Sequence, residues 1–259
     1  MSVVYLDQEA VHYEVFGHGR PVLFLHGWLG SWRYWLPSIE VVSQTFRTFS
    51  FDFSGFGDTT QRHVTPSIPA YADQVTRFLD EMGIDKVRLV GHSMGGMVAL
   101  KTAIEHADRI ERVVTVGAPI SGSALSPLLK LAAIPSVAQA MAHWPEVTTF
   151  LFKQFLNESR QEDMLEILAA SVKPSSDNVR RSVRSMMGTD LRSELGGLQV
   201  PTLAIHGTRD DVVSPSQIKV AQQAHSAFLH AMPMAGCRHF PWNDDPERFH
   251  ALLLAFLET

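Results

Sequence analysis

Three side chains that lie far apart in the chain, Ser93, Asp210 and His239, are of the types needed to transfer an acyl group. A hydroxyl has too high a pKa to attack a carbonyl at neutral pH, so it needs a base that titrates near pH 7 and an anion to orient that base. Ser93 stands in Gly91-His92-Ser93-Met94-Gly95-Gly96, directly after the apolar run Val87-Arg88-Leu89-Val90. That spacing reads as a nucleophile elbow, a strand-to-helix turn that forces the serine into a strained, exposed backbone position. Gly91 and Gly95, two residues to either side, let neighbouring backbone pass close by. A serine after a strand can also be an ordinary helix cap, and the elbow is preferred because matching partners occur further along the chain.

Pro201-Thr202-Leu203-Ala204-Ile205-His206-Gly207 is a second buried-strand run, and it opens into Thr208-Arg209-Asp210-Asp211. A turn favours Asp for its local hydrogen bonds as well, and adjacent side chains point in different directions, so only one of the two can serve. Of the twelve histidines, only His239 is expected in a loop between the last strand and the last helix, in Gly236-Cys237-Arg238-His239-Phe240-Pro241. His26 and His92 read as braces for the loops they sit in, and His106, His143, His225 and His250 as residues of helix surfaces. Cys237 reads as a small buried filler and Asp52 as a carboxylate that fixes a loop.

With these motifs in place, the chain resembles the α/β-hydrolase superfamily over essentially its whole length. His26-Gly27-Trp28, after the strand Val22-Leu23-Phe24-Leu25, resembles the oxyanion loop of that family, and Asp52-Phe53-Ser54-Gly55-Phe56-Gly57 resembles its glycine turn. Ser54 departs from the Arg or Pro of many relatives, which could alter the pocket wall. The resemblance implies Ser93 as nucleophile, His239 as general base and acid, and Asp210 rather than Asp211 as the orienting acid, because Asp210 is third after Gly207. The other acid position of the family, after Gly117, holds only Ala118-Pro119-Ile120-Ser121. The resemblance further implies an oxyanion hole made by the backbone N–H groups of Trp28 and Met94.

The elements that must position these residues alternate between strand and helix, which makes the fold class α/β, with a mostly parallel sheet flanked by helices. Eight strands are expected near residues 3–7, 11–16, 21–25, 47–53, 87–91, 112–117, 201–206 and 227–232, and helices near 34–44, 67–83, 94–106, 216–225 and 245–258. The alternation breaks over 120–198, where Pro127, Pro135, Pro145 and Pro174 punctuate short helical stretches. We therefore expect a core of residues 1–119 and 199–259 carrying a helical cap, 120–198, between the sixth and seventh strands. That cap is apolar for a surface insertion, with Leu125, Leu128, Leu129, Phe150, Leu151, Met164, Leu165, Ile167 and Leu168 among its residues. Each has the cap's own interior as its ordinary destination; together they point to an apolar pocket, for which Trp28, Trp32, Phe56, Met141, Trp144, Phe152 and Met186 are the candidates.

Serine at the elbow argues against dehalogenases and epoxide hydrolases of the family, which use aspartate there. The expected activity is hydrolysis of carboxylic esters with hydrophobic small-to-medium groups through an acyl-enzyme. The alternatives are a carbon–carbon bond hydrolase of ring-cleavage diketones, an acyltransferase or perhydrolase, and a ligand-sensing relative with slow turnover. The carbon–carbon reading needs cations at the pocket, for which Arg33, Lys153 and Arg192 are available; the sensing reading needs an exposed apolar patch on the cap.

Composition fits this expectation. At 259 residues with 45% hydrophobic side chains, one domain can bury a sizeable core. A net charge of −5 with scattered basic residues argues against a nucleic-acid partner. One cysteine excludes an internal disulfide, and with no signal-peptide pattern at the start the default compartment is the cytoplasm. No apolar run approaches the roughly 20 residues of a membrane span. No His-Glu-x-x-His pattern or cysteine set suggests a metal, and no cofactor is expected. A monomer or homodimer acting on a small hydrophobic ester completes the expectation.

Overall fold

The computed structural model describes residues 2–59, 65–156, 165–167, 174–224 and 226–259. Met164, Leu168 and His225, named above, lie outside the described residues. The eight expected strands are β1 (Ser2–Leu6), β2 (Glu9–Phe16), β3 (Pro21–Leu25), β4 (Arg47–Phe51), β5 (Val87–His92), β6 (Ile110–Val116), β7 (Thr202–Gly207) and β8 (Leu229–Met234). They form one sheet in the order β1-β2-β4-β3-β5-β6-β7-β8. β1 pairs with β2 and β2 with β4 antiparallel, and every pairing from β4 through β8 is parallel.

The central strands are apolar along their length because helices cover both faces of a parallel sheet. All six residues of β5 are buried, as are Val22 to Leu25 of β3. In the core, α1 (Leu36–Val42), α2 (Ile68–Glu81), α3 (Met94–Glu105), then α8 (Ser216–Gln223), α9 (Pro241–Asp244) and α10 (Pro246–Glu258) supply the covering layers. The helix expected at 34–44 divides into a 3-10 turn, Trp32–Trp35, and α1, because Pro37 has no N–H to donate and fits only a first turn. α2 begins where Ser67 Oγ accepts the Ala70 N–H at 3.2 Å.

Between β6 and β7 the described residues form helices and turns: α4 (Pro127–Lys130), α5 (Pro135–His143), α6 (Pro145–Phe155) and α7 (Ser176–Gly188). α7 packs on α5 and α2. Two isolated bridges, Ser121 with Asp190 and Leu125 with Val213, fasten the base of this stretch, the second directly to the turn that follows β7.

Candidate active site

The end of β5 and the start of α3 meet at Ser93, whose φ of 51° and ψ of −116° lie where a non-glycine residue is strained. The strain is held by packing on all sides. Ser93 N–H donates to Val116 O at 2.8 Å, and the Ser93 carbonyl accepts from Gly96 and Met97. A Cβ on Gly95 would lie 2.5 Å from the His26 carbonyl oxygen and nearer still to that of Leu25, so the elbow fits against β3 only without side chains there.

His239 approaches from the loop after β8 and Asp210 from the turn after β7. His239 Nδ1 donates to Asp210 Oδ2 at 2.8 Å, which leaves Nε2 as the ring's acceptor. Asp210 Oδ1 accepts from the N–H groups of Val212 and Val213, both at 2.9 Å. Burial alone would push this carboxyl up, but His239 and His206 bring it below the usual carboxylate range. His206 is a partner that sequence reasoning missed: its Nε2 lies 3.2 Å from Asp210 Oδ2 and 3.1 Å from Val213 O. Asp211, by contrast, is exposed and pairs with Arg238. The His239–Asp210 pair lies over Gly117, where a Cβ would be 3.1 Å from His239 Nδ1 and 3.3 Å from Asp210 Oδ2. A side chain after β6 would press on the pair and would also be strained at the Gly117 φ of 55°.

A chain of hydrogen bonds joins the loop after β3 to the loop of His239 through the elbow. Gly27 N–H donates to Tyr34 Oη, Tyr34 Oη lies 3.1 Å from His92 Nδ1, and His92 Nε2 lies 2.9 Å from His239 O. A carbonyl can only accept, so His92 Nε2 is the donor there and Nδ1 accepts from the tyrosine. Burial, with the charge His239 can carry next to it, pushes His92 well below the usual histidine range and keeps it neutral. His26 is neutral as well, lowered to about 4 by burial, with Nε2 accepting from Phe53 N–H at 2.9 Å. Both histidines brace loops, as their positions suggested.

Ser93 and His239 open onto a cleft of about 400 Å³, part of it exposed to solvent. Trp28, Tyr34, His92 and Phe240 wall it from the core side, Val212 from the turn after Asp210, and Leu129, Leu151 and Phe152 from α4 and α6. Met94 heads α3, where the first N–H groups of a helix have no partner within the helix and the dipole favours an anion.

Such an elbow, acid turn and histidine loop on a sheet of this strand order have relatives. A sequence-family profile described as alpha/beta hydrolase fold matches residues 20–137. The chain has the α/β-hydrolase fold. Among its relatives is a protein of Agrobacterium fabrum whose name, carbamate hydrolase RutD, is itself provisional: it is 28% identical, over 95% of this chain and 98% of the relative. The pimeloyl-[acyl-carrier protein] methyl ester esterase of Nitrosomonas europaea is 26% identical, over 93% of this chain and 96% of its own length. The crystal structure of the enol-lactonase from Burkholderia xenovorans LB400 superposes with a TM-score of 0.88 over all of both chains at 21% identity, which establishes likeness of fold.

Several expected pocket residues lie elsewhere. Trp32 packs against His12 and Phe16 of β2, at 6.0 and 6.3 Å between ring centroids. Phe56 is buried edge-on to His26 at 5.8 Å and is not among the residues that line the cleft. Met141 and Met186 are buried between the helices that follow β6, and Trp144 is 60% exposed. Trp28 and Phe152 do line the cleft. Ser54 takes no part in the wall: it is fully buried, and its Oγ donates to Glu9 Oε1 at 2.6 Å. His250, expected on a helix surface, is half-buried with Nε2 3.0 Å from Ser38 Oγ.

Asp52 fixes the loop before it and the turn after it, Oδ1 accepting from Trp32 N–H at 2.8 Å and Oδ2 from Asp58 N–H at 2.9 Å. Its burial pushes the carboxyl up to about 7 in spite of those two bonds. His12, Asp52 and Asp58 place donor atoms within 4.8 Å of one another, and Arg33 already brings a cation to this group, 2.7 Å from Asp58 Oδ2. Cys237 is buried and its thiol is pushed up to about 11, which keeps it protonated and inert. Among the described residues no helix is long and apolar enough to cross a membrane.

Proposed function

We propose that this hydrolase cleaves uncharged carboxylic esters with hydrophobic groups of small to medium size through an acyl-enzyme on Ser93. The observation that carries the reading is a cleft in which Ser93 and the Asp210-paired His239 face walls that are otherwise aromatic or aliphatic apart from neutral His92. His239 takes the proton of Ser93 through Nε2, the alkoxide attacks the ester carbonyl, and the protonated ring gives that proton to the leaving alcohol. Water then repeats the cycle on the acyl-enzyme with the same base. Asp210 stays ionised, holds the working tautomer and balances the imidazolium. The backbone N–H groups of Trp28 and Met94 are the donors that meet the developing oxyanion. Residues 120–198 act in this reading as a cap, with α4 and α6 closing the acyl side.

Among the described residues no Lys, Arg, Asp or Glu lines the cleft. That favours a neutral substrate over the anionic dienol acid of a carbon–carbon hydrolase. Arg33 is committed to Asp58, and Arg192 to Asp190, with Nε 2.9 Å from Oδ1. The ligand-sensing reading draws on a different observation, the exposed Trp144 and Phe150 at 60% and 67%. Turnover of a p-nitrophenyl ester series, in native protein and in Ser93→Ala, decides between them. Rapid hydrolysis that peaks at short or medium acyl length and disappears in the variant supports the esterase; negligible turnover, or turnover that survives the substitution, refutes it. An acyltransferase would show itself in the same assay as ester exchange when a second alcohol is added. The reading is completed by a cytoplasmic monomer or homodimer with no cofactor.

A further inference from the structure

We propose that Arg238 is a specificity-determining positioning residue that latches the pocket roof to the acid and histidine turns. It rests on the ester-hydrolase reading for its effect on substrate choice, and on geometry alone for the latch. Arg238 immediately precedes His239. Its own N–H donates to Asp244 Oδ2 at 2.6 Å, which anchors the loop to α9. Its guanidinium leaves the core and reaches the end of α6, with Nη1 donating to Leu156 O at 2.6 Å and Nη2 to Gln154 O. Nη2 also pairs with the carboxylate of Asp211, the neighbour of Asp210.

One planar cation thus joins three segments, a task that suits the fixed fork of guanidinium and not the single ammonium of lysine. The carbonyls it takes from α6 are the ones that a helix end leaves without intrahelical donors, and the negative end of the helix dipole faces the cation there. α6 is also the element that brings Leu151 and Phe152 over the cleft. A hydrogen-bonded path therefore runs from the roof of the acyl pocket through Arg238 to the backbone that carries His239 and, through Asp211, to the turn that carries Asp210. The position of the roof is set from the catalytic side rather than by the packing of the cap alone.

The consequence is selective. An acetyl group is too short to depend on the roof, whereas a longer acyl chain draws its binding from burying its methylenes against Leu151 and Phe152. A loosened α6 costs the long chain more than the short one. The ratio of kcat/KM for p-nitrophenyl hexanoate to that for the acetate should fall about tenfold in Arg238→Ala, and by an intermediate factor in Arg238→Lys, which keeps the charge but cannot span all three acceptors. Amide hydrogen exchange on the full chain reads the latch without any substrate: the amides of α6 should exchange at least tenfold faster in Arg238→Ala while those of β5 keep native rates.

Unchanged exchange in α6 overturns the latch. Faster exchange in α6 with an unchanged hexanoate-to-acetate ratio overturns the specificity role. A shift in the pH profile of acetate hydrolysis in Arg238→Ala, with the ratio unchanged, would mean that Arg238 acts on His239 itself, and overturns the assignment to the roof. If β5 also loses protection, the Arg238→Lys variant carries the comparison. If the native protein hydrolyses no ester, the functional reading fails by itself, and the exchange experiment still accepts or rejects the latch.

Discussion

Replacing Gly95 by alanine should damage catalysis much more than stability, and the sizes follow from where the new methyl group would go. The added Cβ would stand 2.5 Å from the His26 carbonyl oxygen and closer to that of Leu25, whereas ordinary contact begins at 3.4 Å. The obstruction is backbone, so no rotamer can relieve it, and the end of β3 has to retreat by about 1 Å. Overpacking of this kind costs about 1–3 kcal/mol, against which alanine returns up to about 1 kcal/mol of helix propensity at the start of α3. A net loss of about 1–2 kcal/mol lowers Tm by several degrees in a chain of this size. The segment that moves leads straight into Gly27 and Trp28, the side of the site assigned to one oxyanion donor. A displacement near 1 Å of a catalytic group costs on the order of a hundredfold. Thermal melts and ester kinetics on Gly95→Ala, with Gly188→Ala as control because a Cβ there meets nothing within 4 Å, separate the two effects. Native kcat/KM in Gly95→Ala refutes the coupling of elbow and oxyanion loop; a loss of similar size in Gly188→Ala refutes the steric account.

Tyr34→Phe removes the hydroxyl between Gly27 and His92 and strands two buried polar groups, so a denaturant midpoint should report a loss of about 2–4 kcal/mol; a loss below about 0.5 kcal/mol speaks against the relay. Asp210→Asn should keep the fold and lower kcat for an acetate ester by about 10⁴, because the amide no longer holds His239 in its accepting tautomer; a fall of less than tenfold would remove Asp210 from its role. Asp52 has a folded pKa raised by burial to about 7, so the stability tied to its neutral form is present near pH 4 and lost as pH rises through 7. The stability of native protein minus that of Asp52→Asn should therefore decline between pH 4 and pH 8 in urea titrations. The opposite pH effect of neutral His26 is common to both proteins and cancels; a difference that rises with pH contradicts the buried-acid account.

The parts of this hydrolase legible in the sequence are those in which a local pattern and a global requirement coincide. A strand buried on both faces must be apolar throughout, so β3, β5, β6 and β7 announce themselves, and the residues at their carboxyl ends are then known to share one edge of the sheet. Ser93 stands one residue and Asp210 three residues past such an end, and His239 follows a few residues after β8. The pocket was legible only in part, because a helix between β6 and β7 offers its apolar residues to two places, its neighbours and the cleft, and periodicity alone does not say which. Met141 and Met186 went to the interior between helices, while Leu151 and Phe152, on the same kind of pattern, went to the cleft. Trp32 misled for another reason: its ring packs on His12 and Phe16 of β2 instead of the cleft, and buried Asp52 holds its N–H. A better signal lay beside the candidate site residues themselves. Val212, two residues after Asp210, and Phe240, directly after His239, both wall the cleft, because a short turn that delivers a side chain to a site carries its neighbours there as well. His206 could be found in the same way, since a residue four before Asp210 at the end of β7 lies within reach of its carboxylate. Tyr34 and Arg238 carry no such mark. Their roles depend on which distant backbone groups the fold brings to a hydroxyl or a guanidinium, and that pairing exists only in three dimensions.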